Sequence, residues 1–443
     1  MTQIASHPLI EQWAEDFRSQ PDLPGPEWLQ QLRQSAAAEF ISTGLPGRKT
    51  EAWKYTPLRI LEQRAPAMSR KLTGDHSESD FPAPVISAEI PTIDGLNGCL
   101  PEQLPATPAG LELLTLEKGL VTCKEQFEKL IPAIETSGAS RVFAALNTAF
   151  LQQGLVIRVG VNCDAGTLLL RWAFNEDGAK AIGNARIVIL LEQGARLELV
   201  EQFDSVGDVA GTLNLVTQAE LAEGSCLVHT RVMKESDEAV ILTSTAVEQA
   251  AESSYQYSGF DLGGGLVRHE FSSRLAGPGA SAGFDGAFVL DRKRHVDNHI
   301  SVDHASAGCS SSQFFRGVLG GKSRGVFNGK ALIRPGADGS SVRQSNANLL
   351  LSGLAEVDTK PELEIYADEV EASHGATVGQ LDEEAVFYLR SRGLSDPMAR
   401  RLLTAAFCHA VTDRLANREL AEQLSALVDS AMPKSMIGQE TQE

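Results

Sequence analysis

Three histidines between residues 295 and 304 have the types and spacing of a metal site. His295, His299 and His304 lie close to Asp297 and Asp303 in the sequence. Residues four apart on a strand share one face, so His295 and His299 could converge on one ion. A run of three basic residues immediately before His295 would repel a metal cation. The pattern therefore favours a polar strand face with ordinary hydrogen bonds, with a metal site as the alternative.

His374, within the sequence ASHGA, is a second candidate for metal chemistry. It stands in the last strand-like stretch before the pattern changes at residue 382. A neutral imidazole is a borderline ligand that is suited to iron, although a lone histidine in a turn is usually not a ligand. Nearby carboxylates could attract Fe²⁺, although a solvated turn is the slightly favoured interpretation. These acidic residues are Glu364, Asp368, Glu369 and Glu371.

The cysteines predict neither a disulfide framework nor a zinc ribbon, because no two of them form a CxxC pair. Two lie in alternating strand patterns, Cys226 and Cys309, where a free cysteine usually behaves as a small buried hydrophobe. A ligand role for either is the alternative. The six positions are Cys99, Cys123, Cys163, Cys226, Cys309 and Cys408.

Two segments suggest nucleotide binding but match its motifs poorly. GVLGGKS (317–323) lacks the first glycine of a P-loop, because Arg316 occupies that position, and no convincing helix follows Lys322. A Trp and a Tyr lie among basic residues in GLPGRKTEAWKYTPL (44–58). A packed aromatic anchor is the favoured interpretation of that block, and an anion or nucleotide site is the alternative.

Length and composition limit the classes of protein to which this chain can belong. A chain of 443 residues is long enough for more than one domain. The formal net charge of −19 disfavours nucleic acid as a partner, because phosphate binding needs a basic surface. No stretch approaches the length of a membrane span, and the N-terminus lacks the pattern of a signal peptide. We expect a cytoplasmic protein.

Periodicity divides the chain into three predicted domains. Residues 1–150 are helical or mixed, with a loose Pro/Ser/Gly-rich linker over about 65–110. Residues 151–382 read as short strands, with small-residue turns recurring every 27 to 33 residues, approximately. That period suits one coil of a β-solenoid, and a β-sandwich is the alternative.

Residues 383–443 form the third predicted domain, which is helical. Helices are expected over 383–392, after Ser395 and over 419–432. The middle helix carries an apolar stripe that either docks a partner or packs within the tail. The stripe consists of Met398, Leu402, Leu403, Ala406 and Phe407.

Several long blocks of the sequence resemble the SufB/SufD family of iron–sulfur cluster assembly scaffolds, its SufD branch in particular. Together they span most of the chain. They are EAWKYTPL, DNHISVDHASAGCSSSQFFRGVL, VFNGKALIRPGA, QSNANLLLS, DTKPELEI, ADEVEASHGATVGQLDEE and FYLRSRG. The resemblance implies a mainly β fold, a right-handed parallel β-helix flanked by N- and C-terminal helical domains.

The resemblance also implies a function. The chain would be a non-catalytic scaffold subunit of the SUF system, paired edge to edge with a SufB-like subunit. Its helical tail would dock a SufC-like ABC-type ATPase, whose ATP binding would shift the subunit pair. His374 would face the subunit interface, where iron or a transient iron–sulfur cluster is held as cargo. A role in iron entry, a flavin on the whole complex and a homodimer of the isolated chain are also compatible with the resemblance.

Two departures from the family pattern bear on this role. Relatives often carry a cysteine two residues before the histidine, where this chain has Ala372. SufB-like proteins carry a cysteine where this chain has Leu389. Thiolates are the usual cluster ligands, so the chain is expected to be the partner of the main cluster holder. The alternatives are a self-sufficient SufB-like scaffold and a β-helix enzyme acting on polysaccharide.

Overall fold

A computed structural model describes residues 7–20, 23–68, 81–86, 90–131, 141–176, 178–205, 207 and 209–433. The helices of this part are α1 Pro8–Ser19, α2 Glu27–Thr43, a 3-10 turn Glu51–Trp53, α3 Arg59–Arg64, α4 Leu116–Thr122, α5 Lys124–Leu130, α6 Arg141–Ala149, α7 Glu383–Ser391, α8 Asp396–Thr412 and α9 Arg418–Ala431. The strands are β1 Ala67–Met68, β2 Thr92–Leu96, β3 Leu111–Thr115, β4 Leu155–Val159, β5 Asp164–Phe174, β6 Ala181–Leu191, β7 Arg196–Ser205, β8 Thr212–Leu221, β9 Cys226–Lys234, β10 Val240–Gln249, β11 Ser254–Asp261, β12 Leu266–Leu275, β13 Ser281–Leu290, β14 His295–His304, β15 Ser310–Leu319, β16 Arg324–Ile333, β17 Ser340–Leu350, β18 Glu356–Ile365 and β19 Val370–Gly379.

Strands β4 to β19 wind into a parallel β-helix. Successive strands alternate between two sheets, and each strand pairs in parallel with the strand two positions along the chain. From β4 onward, even-numbered strands form one sheet (sheet A), and odd-numbered strands form the other (sheet B). Leu266, His295, Arg324 and Glu356 stand in register on successive rungs, at intervals of 29, 29 and 32 residues. The predicted solenoid is confirmed over the sandwich alternative.

Both faces of each sheet are covered, which explains the long apolar runs of strands such as ARIVILL. Inward side chains, including Leu170, Ile187 and Phe284, form one continuous core along the lumen. The N-terminal helices cover the outer face of sheet A, where Phe143 and Leu146 pack near Val240. The strands therefore depend on the flanking helices to bury their outward apolar residues.

The block EAWKYTPL anchors the N-terminal helices to sheet A. Trp53 is buried, and the guanidinium carbon of Arg268 lies 3.9 Å from the centroid of its ring. Thr56 donates a hydrogen bond to Asp297, which also forms an ion pair with Arg268. Burial would raise the pKa of Asp297, but Arg268 and His299 hold it below its usual range. The predicted aromatic anchor accounts for this block.

The C-terminal helices cover the outer face of sheet B. Ala405, Cys408 and Val411 of α8 and Leu424 and Val428 of α9 join the apolar cluster on this face. The strands contribute residues Val200, Val232, Phe260, Val289 and Val318 to the same cluster. Arg414 Nε donates to Asp285 Oδ2 at 2.8 Å and pins the end of α8. The tail is therefore an integral layer of the β-helix.

The two ends of the β-helix differ. At the N-terminal end, β3 pairs antiparallel with β4, and β2 pairs with β5 and ends sheet B. At the C-terminal end, β18 and β19 are the outermost strands of the two sheets. Most of their residues are exposed or half-buried. In the described part of the chain, no further strand pairs with this end.

The stretch predicted as a linker partly lies against the solenoid. Residues 69–80 and 87–89 fall outside the described residues. Phe81 and Val85 are buried, and the Val85 amide donates to Gln202 Oε1 at 2.7 Å. Strand β2 also belongs to this stretch and pairs with β5. A few buried apolar residues and one strand therefore fix part of this segment on the solenoid, although its composition is typical of a loop.

A network of charged and polar side chains is buried inside the lumen. The carboxylate of Glu201 accepts hydrogen bonds from Arg231 Nη2 at 2.6 Å and contacts His229 Nε2 at 2.7 Å. Arg231 also donates to Thr243 Oγ1, which contacts His269 Nδ1 at 2.7 Å. Burial alone would raise the pKa of Glu201, but Arg231 and His229 hold it at about 2. A buried charge at this depth is stable only with such partners.

None of the described helices is long and apolar enough to cross a membrane.

Candidate functional site

His374 lies in the middle of β19, the exposed last strand of sheet B. It stands in register with Gln344 of β17. Strand β17 is its neighbour on one side, and the other edge of β19 pairs with no described strand. The imidazole is therefore presented at the uncovered end of the β-helix, as the sequence predicted for the last coil.

The side chain of His374 belongs to the lumen side of its strand. Side chains alternate across a strand, so His374 shares a face with Val370. Val370 packs against a buried cluster that includes Ile333 and Val342. His374 therefore continues the interior stack at the point where no further coil shields it from solvent.

A polar ladder lies beneath His374. Gln313, Gln344 and His374 are in register on three successive strands of sheet B. Gln344 Nε2 donates to Gln313 Oε1 at 3.3 Å and to the carbonyl of Gly329 at 2.9 Å. Gln344 is only 4% exposed, whereas His374 is exposed. The ladder therefore leads from the buried interior to the open end.

Amide side chains surround this ladder, and sequence analysis did not single them out. Gln344, Asn346 and Asn348 alternate along the lumen side of β17 and are all buried. Gln344 Oε1, Asn346 Nδ2 and Asn348 Oδ1 are buried polar atoms without a described hydrogen-bond partner. The signal was present as Q-x-N-x-N, since alternation by two places three amides on one face. Strand β17 thus carries a row of buried amide groups directly beneath β19.

The acidic residues near His374 do not gather around it. Glu364 Oε1 forms an ion pair with Lys330 Nζ at 2.8 Å. Asp368 and Glu369 lie in a turn whose amides donate to Asp338 Oδ1 at 3.2 and 3.4 Å. The described residues contain no group of three or more His, Cys, Asp or Glu side chains placed to hold a metal ion. Ligands from outside these residues would have to complete any metal site at His374.

The histidines of β14 each have a polar partner. His295 Nε2 contacts Thr56 Oγ1 at 3.1 Å, and burial lowers the pKa of His295 to about 4. His299 Nε2 lies 2.9 Å from Asp297 Oδ1. His304 Nε2 contacts Ser311 Oγ at 2.8 Å. These contacts fit the favoured interpretation of a polar strand face.

The cysteines lie away from the open end. Cys309 is buried, its Sγ lies 3.4 Å from the carbonyl of Gly277, and burial raises the pKa of its thiol. Cys226 is half-buried at the start of β9. Cys408 is buried beneath α8, and burial raises the pKa of its thiol to about 12. A thiol with a raised pKa is a poor thiolate donor at neutral pH.

The segment GVLGGKS does not form a phosphate-binding loop. It ends β15 and turns directly into β16, so no helix N-terminus follows Lys322. The sequence had already lacked the first glycine of the motif. Both observations agree that the chain carries no P-loop at this position.

The predicted apolar stripe of α8 divides into two parts. Met398 and Leu402 are 56% and 50% exposed, and Ala406 is exposed on the same side of the helix. Leu403 and Phe407 are half-buried, and Phe407 packs at the margin of the apolar cluster on sheet B. The exposed part is thus Met398, Leu402 and Ala406.

Helix α7 adds two exposed aromatic residues that the sequence analysis did not include. Phe387 is 70% exposed and Tyr388 is 57% exposed. Arg400 of α8 forms ion pairs with Glu383 of α7, which holds the two helices together. Leu389, at the position where SufB-like proteins carry a cysteine, is half-buried on α7.

Comparison with known proteins defines the class to which this fold and site belong. A family model described as "SUF system FeS cluster assembly, SufBD core domain" matches residues 174–407. A second model, "SufBD protein N-terminal region", matches residues 22–167. The chain therefore belongs to the SufBD family of the SUF system, and the family resemblance of its sequence blocks is confirmed.

Individual relatives place the chain more closely. The iron–sulfur cluster assembly protein SufD of Escherichia coli is 28% identical over 96% of this chain and 97% of its own length. A SufBD family protein of Synechocystis is 27% identical over 97% of both chains. A SufBD family protein of Mycobacterium leprae is 36% identical over 38% of this chain and 45% of its own length. The chain is thus a SufD-like member of the family.

Proposed function

We propose that this chain is the SufD-like subunit of a SUF scaffold and that it pairs with a SufB-like subunit through β18 and β19. This proposal rests on the difference between the two ends of the β-helix, of which only the C-terminal end is uncovered in the described part of the chain. An open strand edge presents unpaired backbone N–H and C=O groups and is a ready template for strand addition. Apolar residues Ile365, Tyr366 and Val378 are also exposed here, at 40%, 63% and 49%. A second β-helix would cover both features.

His374 would contribute one ligand to a site that the two subunits share. A single imidazole does not hold iron on its own, and neither Ala372 nor Leu389 supplies a thiolate. The thiolates would come from the SufB-like partner. Iron or a nascent iron–sulfur cluster is the cargo of this interface, so the chain itself performs no catalytic turnover.

The exposed residues of α7 and α8 would dock a SufC-like ATPase. Phe387 and Tyr388 of α7 and Met398 and Leu402 of α8 are exposed apolar residues on two helices that an ion pair joins, and α8 packs on sheet B. Large exposed apolar residues grouped in this way typically mark a protein interface. Family membership favours this scaffold role over the polysaccharide-active alternative.

The pairing is tested by placing a charge on the open edge. The chain is co-expressed with a SufB-like subunit and a SufC-like ATPase, and complexes are measured by affinity capture and size-exclusion chromatography. Val378→Lys should abolish recovery of the SufB-like subunit, because an edge lysine blocks strand addition. Val161→Lys, which changes a 57% exposed valine between β4 and β5, should leave the complex intact. Full pairing by Val378→Lys would refute the proposed interface.

A further inference from the structure

A cavity lies along the edge of the solenoid, away from the open end. Turns 235–239, 262–265, 291–294 and 320–323 each connect a strand of sheet B to the next strand of sheet A. Residues of these turns form one wall of a cavity of about 750 Å³. Ile60, Gln63 and Arg64 of α3 form the facing wall. The cavity is thus bounded by the stacked turns and by the N-terminal helices.

Basic side chains dominate this cavity, although the protein as a whole is strongly acidic. Its lining includes two acidic residues, Asp237 and Glu238. It includes five basic residues, Arg64, Arg292, Lys293, Arg294 and Lys322. In a chain with a formal net charge of −19, this local excess of positive charge is unusual. Such a concentration creates a positive potential that attracts anions.

Two of the arginines share one acidic partner. Arg294 Nε donates to Asp237 Oδ1 at 2.8 Å, and Arg292 forms an ion pair with Asp237 Oδ2. Burial would raise the pKa of Asp237, but the two arginines hold it below its usual value. One carboxylate therefore faces two guanidinium groups, and a net positive charge remains beside the cavity.

Arg64 is a fixed part of the wall. Its guanidinium donates to the carbonyl of Glu238 at 2.6 Å and to the carbonyl of Ala179 at 2.9 Å. It also donates to the carbonyls of Ala210 and Gly211. These four contacts occupy the Nη1 and Nη2 donors of Arg64 but do not neutralise its positive charge, because carbonyl groups are neutral.

Lys293 and Lys322 supply the free cationic groups. Both are exposed, and neither forms an ion pair with another residue in the described ranges. They lie on adjacent rungs, where the Lys322 amide donates to the carbonyl of Arg292 at 2.6 Å. Rungs are roughly 4.8 Å apart, so the two flexible lysine side chains on adjacent turns can reach a common anion.

Gly321 allows the turn that carries Lys322 to stack closely on the turn that carries Arg292. Its φ is +57°, in the left-handed region that favours glycine. A Cβ at this position would lie 2.6 Å from the amide nitrogen of Arg292. The two turns can therefore stack closely only because residue 321 has no side chain.

We propose that this cavity binds a small phosphate ester, with Lys293 and Lys322 contacting the phosphate. A phosphate carries several acceptor oxygens and up to two charges, and lysine binds it as a point charge. The volume falls within the range of small-ligand sites and exceeds the needs of a lone phosphate ion. The organic part of the ester would lie against Ile60 and Gln63. Long nucleic acid is disfavoured because the chain as a whole carries a formal net charge of −19.

Calorimetric titration of the full chain tests this site. The probes are inorganic phosphate, ribose 5-phosphate and inorganic pyrophosphate, each in metal-free buffer at one ionic strength. Saturable binding of all three is expected, with ribose 5-phosphate tighter than inorganic phosphate. Absence of saturable binding would overturn the site, and equal affinity for the two monophosphates would overturn its assignment to an ester.

Two variants separate the site from general charge effects. The double variant Lys293→Gln/Lys322→Gln should weaken binding of each probe by at least about tenfold, because both unpaired cations are removed. Lys118→Gln, which changes an exposed lysine on α4, should bind as the wild type does. Unchanged affinity in the double variant, or equal losses in both variants, would contradict the proposal. The outcome is independent of subunit pairing at β18 and β19, which these lysines do not touch.

Discussion

His374 stands directly above Gln344 on the lumen side of sheet B, yet Gln344 is buried and His374 is exposed. Solvent exposure therefore differs sharply between these two adjacent strands. Gln344 is tied to Gln313 and Gly329, so the rung beneath His374 is fixed by hydrogen bonds. A fixed polar rung beneath an exposed imidazole fits the proposed site, which a second subunit would complete.

Replacement of this imidazole tests its role. His374→Ala should lower cluster assembly by the full complex at least about tenfold, a loss typical when a group that supports a metal site is removed. The fold should be unchanged, because an exposed side chain is removed. Cluster yield is measured by absorbance and iron content after reconstitution.

Ser373→Ala is the matched control for that experiment. Ser373 is the adjacent residue, which is also exposed but lies on the opposite face of β19. Its replacement should leave cluster yield at the wild-type level. Normal assembly by His374→Ala, with the complex intact, would exclude the histidine from the site.

The apolar surface of α8 makes a separate prediction. The double variant Met398→Glu/Leu402→Glu should weaken ATPase binding by about tenfold or more, because charges replace exposed apolar contacts at an interface. Binding is measured by titration of the ATPase against the chain. Val121→Glu, at an 81% exposed valine on α4, is the control and should bind normally.

Point substitutions are preferable here to removal of the tail. Deletion of residues 394–443 would strip α8 and α9 from Val200, Phe260 and Val289. Loss of binding after truncation would therefore mix a missing interface with an exposed core. Full ATPase affinity in the double glutamate variant would contradict the proposed docking surface.

The sequence predicted the repeated coils well, because their cause is local. Small turn residues recur with each coil, and apolar residues alternate along each strand. The helices of the tail were also predictable from Ser395, Pro397 and the glycine at residue 393, which adopts φ +97°. Element type and repeat length follow from such short-range signals.

The features that depend on assembly were harder to predict. The alternation of side chains along a strand predicts that Gln344, Asn346 and Asn348 share one face. It does not predict which rung is the last of the β-helix. Arg268 and Trp53 are 215 residues apart, and periodicity cannot pair such distant residues. The basic cavity likewise joins α3 to turns near residues 237, 293 and 322, which only the stacked fold brings together.

The buried pair of Glu201 and Arg231 predicts a large loss of stability on substitution. Arg231→Met would leave Glu201 charged and without its main partner, which costs about 3–5 kcal/mol in the free energy of unfolding. Chemical denaturation measures this change. Adding Glu201→Gln should recover part of the loss, because the unpaired charge is removed.

An exposed ion pair provides the comparison. Arg274 Nη1 lies 3.0 Å from Glu248 Oε1, and the two side chains are 47% and 35% exposed. Arg274 Nε also lies 3.7 Å from Asp303 Oδ2. Arg274→Met should cost less than about 1 kcal/mol, as surface pairs usually do. Equal losses for Arg231→Met and Arg274→Met would show that the lumen network is not a principal source of stability.

Glu235 predicts how stability depends on pH. This carboxyl group is 2% exposed, and burial, aided by Asp204, raises its pKa from 4.5 to about 8 despite a hydrogen bond from Ser205. Between these two values the unfolded chain has lost a proton that the folded chain retains. The contribution of Glu235 to stability is therefore complete below about pH 4.5 and is lost as pH rises towards 8.

Glu235→Gln should remove this part of the pH dependence, because glutamine does not titrate. The free energy of unfolding of the variant, relative to the wild type, should rise from pH 5 to pH 8 and then level off, as roughly expected from linkage. Denaturant titrations across that range measure the difference. Glu223→Gln, at an exposed glutamate in the turn after β8, should track the wild type at every pH. A constant difference between Glu235→Gln and the wild type would mean that Glu235 is already ionised at neutral pH, with a cation or water compensating its charge.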